Sequence, residues 1–173
     1  MAKSIKEKEL EKKKVISSAT KVIRYILKIK DIELTHKKKI LNEMIWAITE
    51  ADGLTSKIRT GYKKRLTYIS EGVNKIKYKK DEGVKGLIHE HVFRRKNLVQ
   101  KLLDSPANIK KILSNAISCV VTQSENKQLS HNNTFGDGWS RYKKAKIKVF
   151  KRKYDLLTGR ETYEPCSRGF KHS

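Results

Sequence analysis

Acidic residues are scarce in this chain: 18 Asp and Glu stand against 41 Lys and Arg, a formal net charge of +23. Self-repulsion of that size opposes compaction unless counter-charge is supplied, and a polyanion would supply it. Cysteine is nearly absent. Cys119 and Cys166 lie far apart with no Cys-x-x-Cys pair, which argues against a disulfide framework or a zinc knuckle and makes reduced thiols the expectation. No run of about 18 apolar residues occurs, and the N-terminus has no continuous apolar signal-peptide core, so a cytoplasmic location is expected. Also missing are a GxxxxGK[ST] phosphate loop, a GxSxG elbow and any His-xxx-His pair, which weighs against P-loop, α/β-hydrolase and common zinc chemistry.

What is present is basic charge spread along the whole chain. Residues 1–80 hold 22 basic and 9 acidic residues, and the remainder 19 and 9. Phosphate neutralisation releases counterions and gives affinity independent of sequence, so charge distributed in this way points to a nucleic acid, most simply duplex DNA. An A/T-rich codon bias would also inflate Lys and Ile, but it normally raises Glu alongside Lys, and here it does not.

The length suits one ordinary domain, or a small domain with a helical extension. The first 80 residues contain no proline and few glycines, and their apolar residues recur at helical spacing. Helix one is predicted over Ser4 to Lys30, with a stripe of Val15, Ala19, Val22, Ile23, Ile26 and Ile29. A second, capped by Thr35, carries Ile40, Leu41, Met44, Ile45 and Ile48 and stops at Asp52-Gly53. A third, from Thr55 to Lys79, aligns Ile58, Tyr62, Leu66, Ile69, Val73 and Ile76. A boundary is set near residue 82, because both prolines and six of the nine glycines follow it.

Beyond the boundary, Gly86 to Phe93 is a candidate strand and Lys96 to Leu103 is helical. Ser105-Pro106 opens another helix. Ile117 to Thr122 is β-branched and apolar, hence a buried strand, and Ser124 is placed to cap a helix that starts Glu125-Asn126-Lys127. His131 to Gly138 reads as a loop, Trp139 to Ala145 as a helical turn, and Ile147 onward, with the Thr158-Gly159 turn, as a terminal hairpin.

Two elements carry potential chemistry: His89-Glu90-His91-Val92 at the end of one strand, and Glu125-Asn126-Lys127 where the second strand runs into a helix. An acidic-His-hydrophobic triplet, then a strand, then such a helix resembles the ββα-metal core of HNH endonucleases over residues 84–131. The resemblance implies that Glu90 and Asn126 ligate one divalent metal and that His91 is the general base. Oxygen ligands suit Mg²⁺ or Mn²⁺, and histidine titrates near neutral pH. The pattern departs from the family in having Glu where Asp is common, in its long Glu90–Asn126 spacing, and in Phe93-Arg94-Arg95 where a proline usually follows. Asn108 and Asn115 are both open for the middle Asn. The alternative is an ordinary polar strand end and a helix-start Asn.

His131 is a further potential ligand, although a loop histidine is more often solvated. Arg94 and Arg95 are candidate phosphate contacts, followed by Lys127, Arg141, Lys143 and Lys144. Trp139 and Tyr142 suit base stacking or, more simply, core packing.

The sequence therefore predicts a predominantly helical α+β protein. Residues 1–82 form a basic helical region for DNA binding or dimerisation, and residues 83–173 an HNH-like ββα-metal module with helical insertions and a C-terminal hairpin. The expected function is metal-dependent cleavage of DNA, of restriction, mobile-element or phage type, with a possible homodimer through the N-terminal helices. The alternative is a non-catalytic basic DNA- or RNA-binding protein.

Overall fold

The computed structural model describes residues 5–52, 66–75, 86–131, 136–154 and 161–166. The protein is α+β: a long N-terminal helix pair and further helices pack on a five-stranded mixed sheet.

Helix α1 (Ile5–Lys28) and helix α2 (Leu34–Ala51) are joined by five residues. The Lys37 ammonium donates to the Ile29 carbonyl at 2.6 Å across this turn. The buried α1 residues Ala19, Ile23 and Ile26 follow helical spacing, as the sequence predicts, but Val22 is 38% exposed and Ile16 and Leu27 complete the stripe instead. In α2, Leu41, Ile45 and Ile48 are buried. The helix begins one residue before the predicted cap: Glu33 is at the N-cap position, and the Thr35 hydroxyl donates to the Glu33 carboxylate. Asp52 accepts from Lys12 Nζ at 2.8 Å and from the Thr67 amide and hydroxyl at 2.7 and 2.9 Å. The end of α2 is thereby tied to both α1 and the sheet.

Helix α4 (Arg95–Asp104) and helix α5 (Ile109–Leu113) close the same core with Leu98, Val99, Leu102, Ile109 and Ile112. Ser105-Pro106 opens a single 3₁₀ turn before α5, without a side-chain cap.

The strands are β1 (Tyr68–Ser70), β2 (Leu87–His91), β3 (Ser118–Thr122), β4 (Val149–Tyr154) and β5 (Glu161–Pro165), in the order β2-β3-β1-β4-β5. Only β1 and β3 run parallel; the other neighbours are antiparallel. On one face, Tyr68, Cys119, Val121 and Val149 pack with Leu129 of α6 (Gln123–His131) and Tyr142 of α7 (Trp139–Lys144). On the other, Leu87, Ile69, Val120 and Leu66 pack with Val73 of α3 (Glu71–Lys75). The β4–β5 pair is the predicted terminal hairpin, and its turn at Thr158-Gly159 lies outside the described residues.

Two expectations need correction. The third helix predicted over Thr55 to Lys79 is, where described, strand β1 followed by the five-residue α3. Leu66, Ile69 and Val73 do share one buried cluster, but Tyr68 and Ile69 hydrogen-bond to strands on both sides. Pairing with distant chain overrides a local periodicity that fits a helix equally well. The boundary near residue 82 does not divide the described structure either. β1 precedes it yet lies in the middle of the sheet, and the helical core mixes α1 and α2 with α4 and α5.

Candidate functional site

Side chains alternate across a strand, so neighbours in sequence point to opposite faces. β2 shows this directly, with Leu87, His89 and His91 buried and the residues between them half-buried. Register places Glu90 opposite Cys119 and His91 opposite Ser118. Glu90 therefore lies on the α6/α7 face and His91 on the α2 face. The predicted convergence of Glu90, His91 and Asn126 does not occur as a trio, because strand alternation separates the first two.

On the α2 face, the His89 and His91 rings stack at 4.9 Å, and Trp46 of α2 stacks on His89 at 4.8 Å and lies tilted to His91 at 5.1 Å. The Arg95 guanidinium covers the Trp46 ring at 4.7 Å, a cation–π contact. Thr49 Oγ1 is 3.2 Å from His91 Nε2 and also donates to the Trp46 carbonyl. His91 is 8% exposed. Burial first, then the charges at His89 and Arg95, lower its pKa from 6.5 to about 3, so its imidazole is neutral at neutral pH.

On the other face, the Glu90 carboxylate pairs with Arg141 of α7, which is 2% exposed and also reaches the His91 carbonyl. The prediction of Arg141 as a phosphate contact is corrected here: a buried guanidinium committed to Glu90 is not available to a backbone phosphate. Asn126 stands in the first turn of α6, one turn before the buried Leu129 and hence on the same helix stripe. Leu129 packs with Cys119 and Val121, so Asn126 and Glu90 share this side of the sheet. Tyr142 and Cys119 are fully buried here, and burial raises both pKa values. Tyr142 is a core residue, in line with the simpler sequence expectation. Trp139 packs against both Tyr68 and Tyr142.

Other sequence-derived candidates are dispersed. Arg94 sits at the N-cap position of α4 and donates its amide to Asp137 at 2.8 Å. Lys127, Lys143 and Lys144 are exposed on α6 and α7. Asn108 is exposed at the start of α5, and Asn115 follows that helix with its amide directed to the Lys111 carbonyl. His131 closes α6, and its side chain lies outside the described set. Among the described residues, no three His, Cys, Asp or Glu side chains are grouped to hold a metal ion.

Several residues that shape this region take roles that local sequence does not signal. Trp46 and Thr49 meet His89 and His91 only through packing between distant elements. Glu125 accepts from Ser70 Oγ, the Gly72 amide, and the Thr122 amide and hydroxyl, at 2.5 to 3.1 Å, which locks the start of α6 to β1, α3 and β3. Asp137 accepts from the Arg94 amide, the Asn97 side chain and the Gly138 amide, joining α4 to α7. The one available sequence signal was the Asp137-Gly138 turn pair.

The exterior carries cationic grooves. One, between α2 and α4, is lined by Lys38, Lys39, Lys96, Asn42, Asn97 and Gln100, and a second by Arg24, Lys28, Lys110 and Lys111. Among the described residues neither lining contains an acid, and both lie on the helical layer. No described helix is long and apolar enough to cross a membrane. Comparison with protein-family models, with curated proteins and with solved structures returns no match to this chain.

Proposed function

We propose that this protein binds duplex DNA and cleaves its phosphodiester bonds with a divalent cation, as HNH endonucleases do. The observation that carries the reading is the β2–β3–α6 unit: an antiparallel strand pair running directly into a helix that packs on the Glu90 side and presents Asn126 from its first turn. The net charge of +23 and the lysine-lined grooves support a polyanionic substrate.

The donor set fits such an ion in kind. Mg²⁺ uses one or two protein oxygens and keeps several waters, and Mn²⁺ accepts the same oxygen donors; Glu90 and Asn126 offer two on one side of the sheet. Arg141 holds the same carboxylate, so cation and guanidinium compete for it. A bound ion would polarise a phosphate oxygen and acidify a water. His91, which the resemblance casts as general base, holds its ring in the Trp46 stack on the opposite face. Cleavage by a His91→Phe protein separates a catalytic from a positioning role.

A second reading, non-catalytic nucleic-acid binding, is favoured by the Glu90–Arg141 pair and by the orientation of His91. Plasmid DNA incubated with Mg²⁺, Mn²⁺ or chelator decides between them. Glu90→Gln keeps an oxygen for Arg141 while removing the ligand charge, and Asn126→Ala removes the second donor. In the nuclease reading, wild type cuts only with metal, and both variants lose cleavage while keeping DNA affinity. Wild type that binds but never cuts establishes the binding reading.

A further inference from the structure

A cleft of about 580 Å³ opens at the end of the sheet where β1 and β3 begin, under α1, α2 and α5. Its size falls within the range typical of small-molecule sites, about 300 to 1,000 Å³. The wall is apolar along Ile16, Ile48, Leu113 and Ile117, and cationic at Lys12, Lys110 and Lys151. Asp52 is the one acidic residue among the described lining residues. Burial alone would push its carboxyl up, but the Lys12 ammonium and the Thr67 hydrogen bonds outweigh this and hold it below the usual range, so it stays ionised. Lys110 and Lys151 have no acidic partner among the described residues. Among the described residues, three lysines and one aspartate leave the lining at +2.

Ser118 also lines this cleft; it is 3% exposed and its hydroxyl has no hydrogen-bond partner among the described residues. A buried hydroxyl without a partner is uncommon in native proteins and calls for an explanation. Thr49, another lining residue, has its hydroxyl engaged with the Trp46 carbonyl and His91.

We infer that this cleft binds a single nucleotide unit carrying a terminal phosphate. A phosphate monoester carries about −1.5 to −2 charge at neutral pH with three acceptor oxygens, which matches a +2 lining better than a monocarboxylate does. Lys110 and Lys151 supply point charges for it, the Ser118 hydroxyl gains an acceptor, and the apolar wall takes the base. The unit comes either from a free nucleoside monophosphate or from the phosphorylated end of a polynucleotide. The lining contains neither Glu90 nor Asn126, so failure of this site leaves the cleavage reading standing.

Isothermal titration of the full chain with adenosine 5′-monophosphate, inorganic phosphate, and a dinucleotide with and without a 5′-phosphate tests the inference. One molecule of the monophosphate or of the phosphorylated dinucleotide is expected per chain, and which of the two binds more tightly identifies the source. Ser118→Ala should weaken binding by about tenfold or more without lowering the melting temperature, since its hydroxyl bonds nothing in the fold. Lys151→Gln should weaken it by a similar factor. No binding of either phosphorylated nucleotide up to about 5 mM, or equal affinity in wild type and both variants, overturns the assignment. Inorganic phosphate binding as tightly as the nucleotides overturns its apolar half.

Discussion

Acidification below about pH 6.5 should destabilise this protein through His91. Its ring packs against Trp46, His89 and Thr49 with the Arg95 charge nearby, and its pKa falls from 6.5 to about 3 on folding. The unfolded chain thus takes up a proton near pH 6.5 that the folded chain refuses until about pH 3. Stability is complete above the unfolded pKa and drains as pH falls through that window. At about 1.4 kcal/mol per pH unit, the loss is about 2 kcal/mol by pH 5 and approaches 5 kcal/mol near pH 3. Against a typical total of about 5 to 15 kcal/mol this is a large fraction. His91→Phe retains an aromatic ring in the stack and removes the titration, and Thr49 keeps its bond to the Trp46 carbonyl. Urea unfolding of both proteins between pH 8 and pH 5 should show wild type losing about 2 kcal/mol more than the variant. Equal pH slopes, or an NMR titration placing the His91 ring near 6.5, would refute the reasoning.

Glu125→Ala should cost about 2 to 4 kcal/mol in chemical denaturation, because Ser70 Oγ and the Gly72 and Thr122 amides lose a charged acceptor together; a loss under about 0.5 kcal/mol would show that solvent replaces it. Gly138→Ala should destabilise by about 2 kcal/mol or more, since Gly138 has φ +71 and an added Cβ would stand 2.5 Å from Phe93 Cε1; an unchanged melting temperature would contradict this. Duplex-DNA affinity should fall with a log–log salt slope of several units, and a flat slope would remove the polyanion as partner. Raising pH above about 9 should destabilise the fold, because burial raises the Cys119 thiol well above its ordinary pKa; a melting temperature unchanged from pH 8 to pH 10 would contradict it.

Several features of this protein are local properties of the chain and were legible without a structure. The stripes of α1 and α2, the β-branched run that became β3, the helix that carries Asn126 and the terminal hairpin each follow from periodicity or turn chemistry within a short window, although that helix begins at Gln123 and takes in Ser124, the expected cap. The net charge of +23 is a sum over residues and needs no coordinates.

Other features depend on partners far away in sequence. Tyr68 and Ile69 became a central strand because β3 and β4 lie on either side of it, a competition between local and non-local pairing that periodicity cannot resolve. Spacing placed Glu90 and His91 side by side, but once β2 pairs with β3 the pleat sends one toward α7 and the other toward α2. Arg141 looked like a phosphate ligand by charge alone, and only tertiary packing buried it against Glu90. Residue types supply the chemistry a chain has available; which of those groups meet is set by the face each occupies, and a face exists only after the strands have found their neighbours.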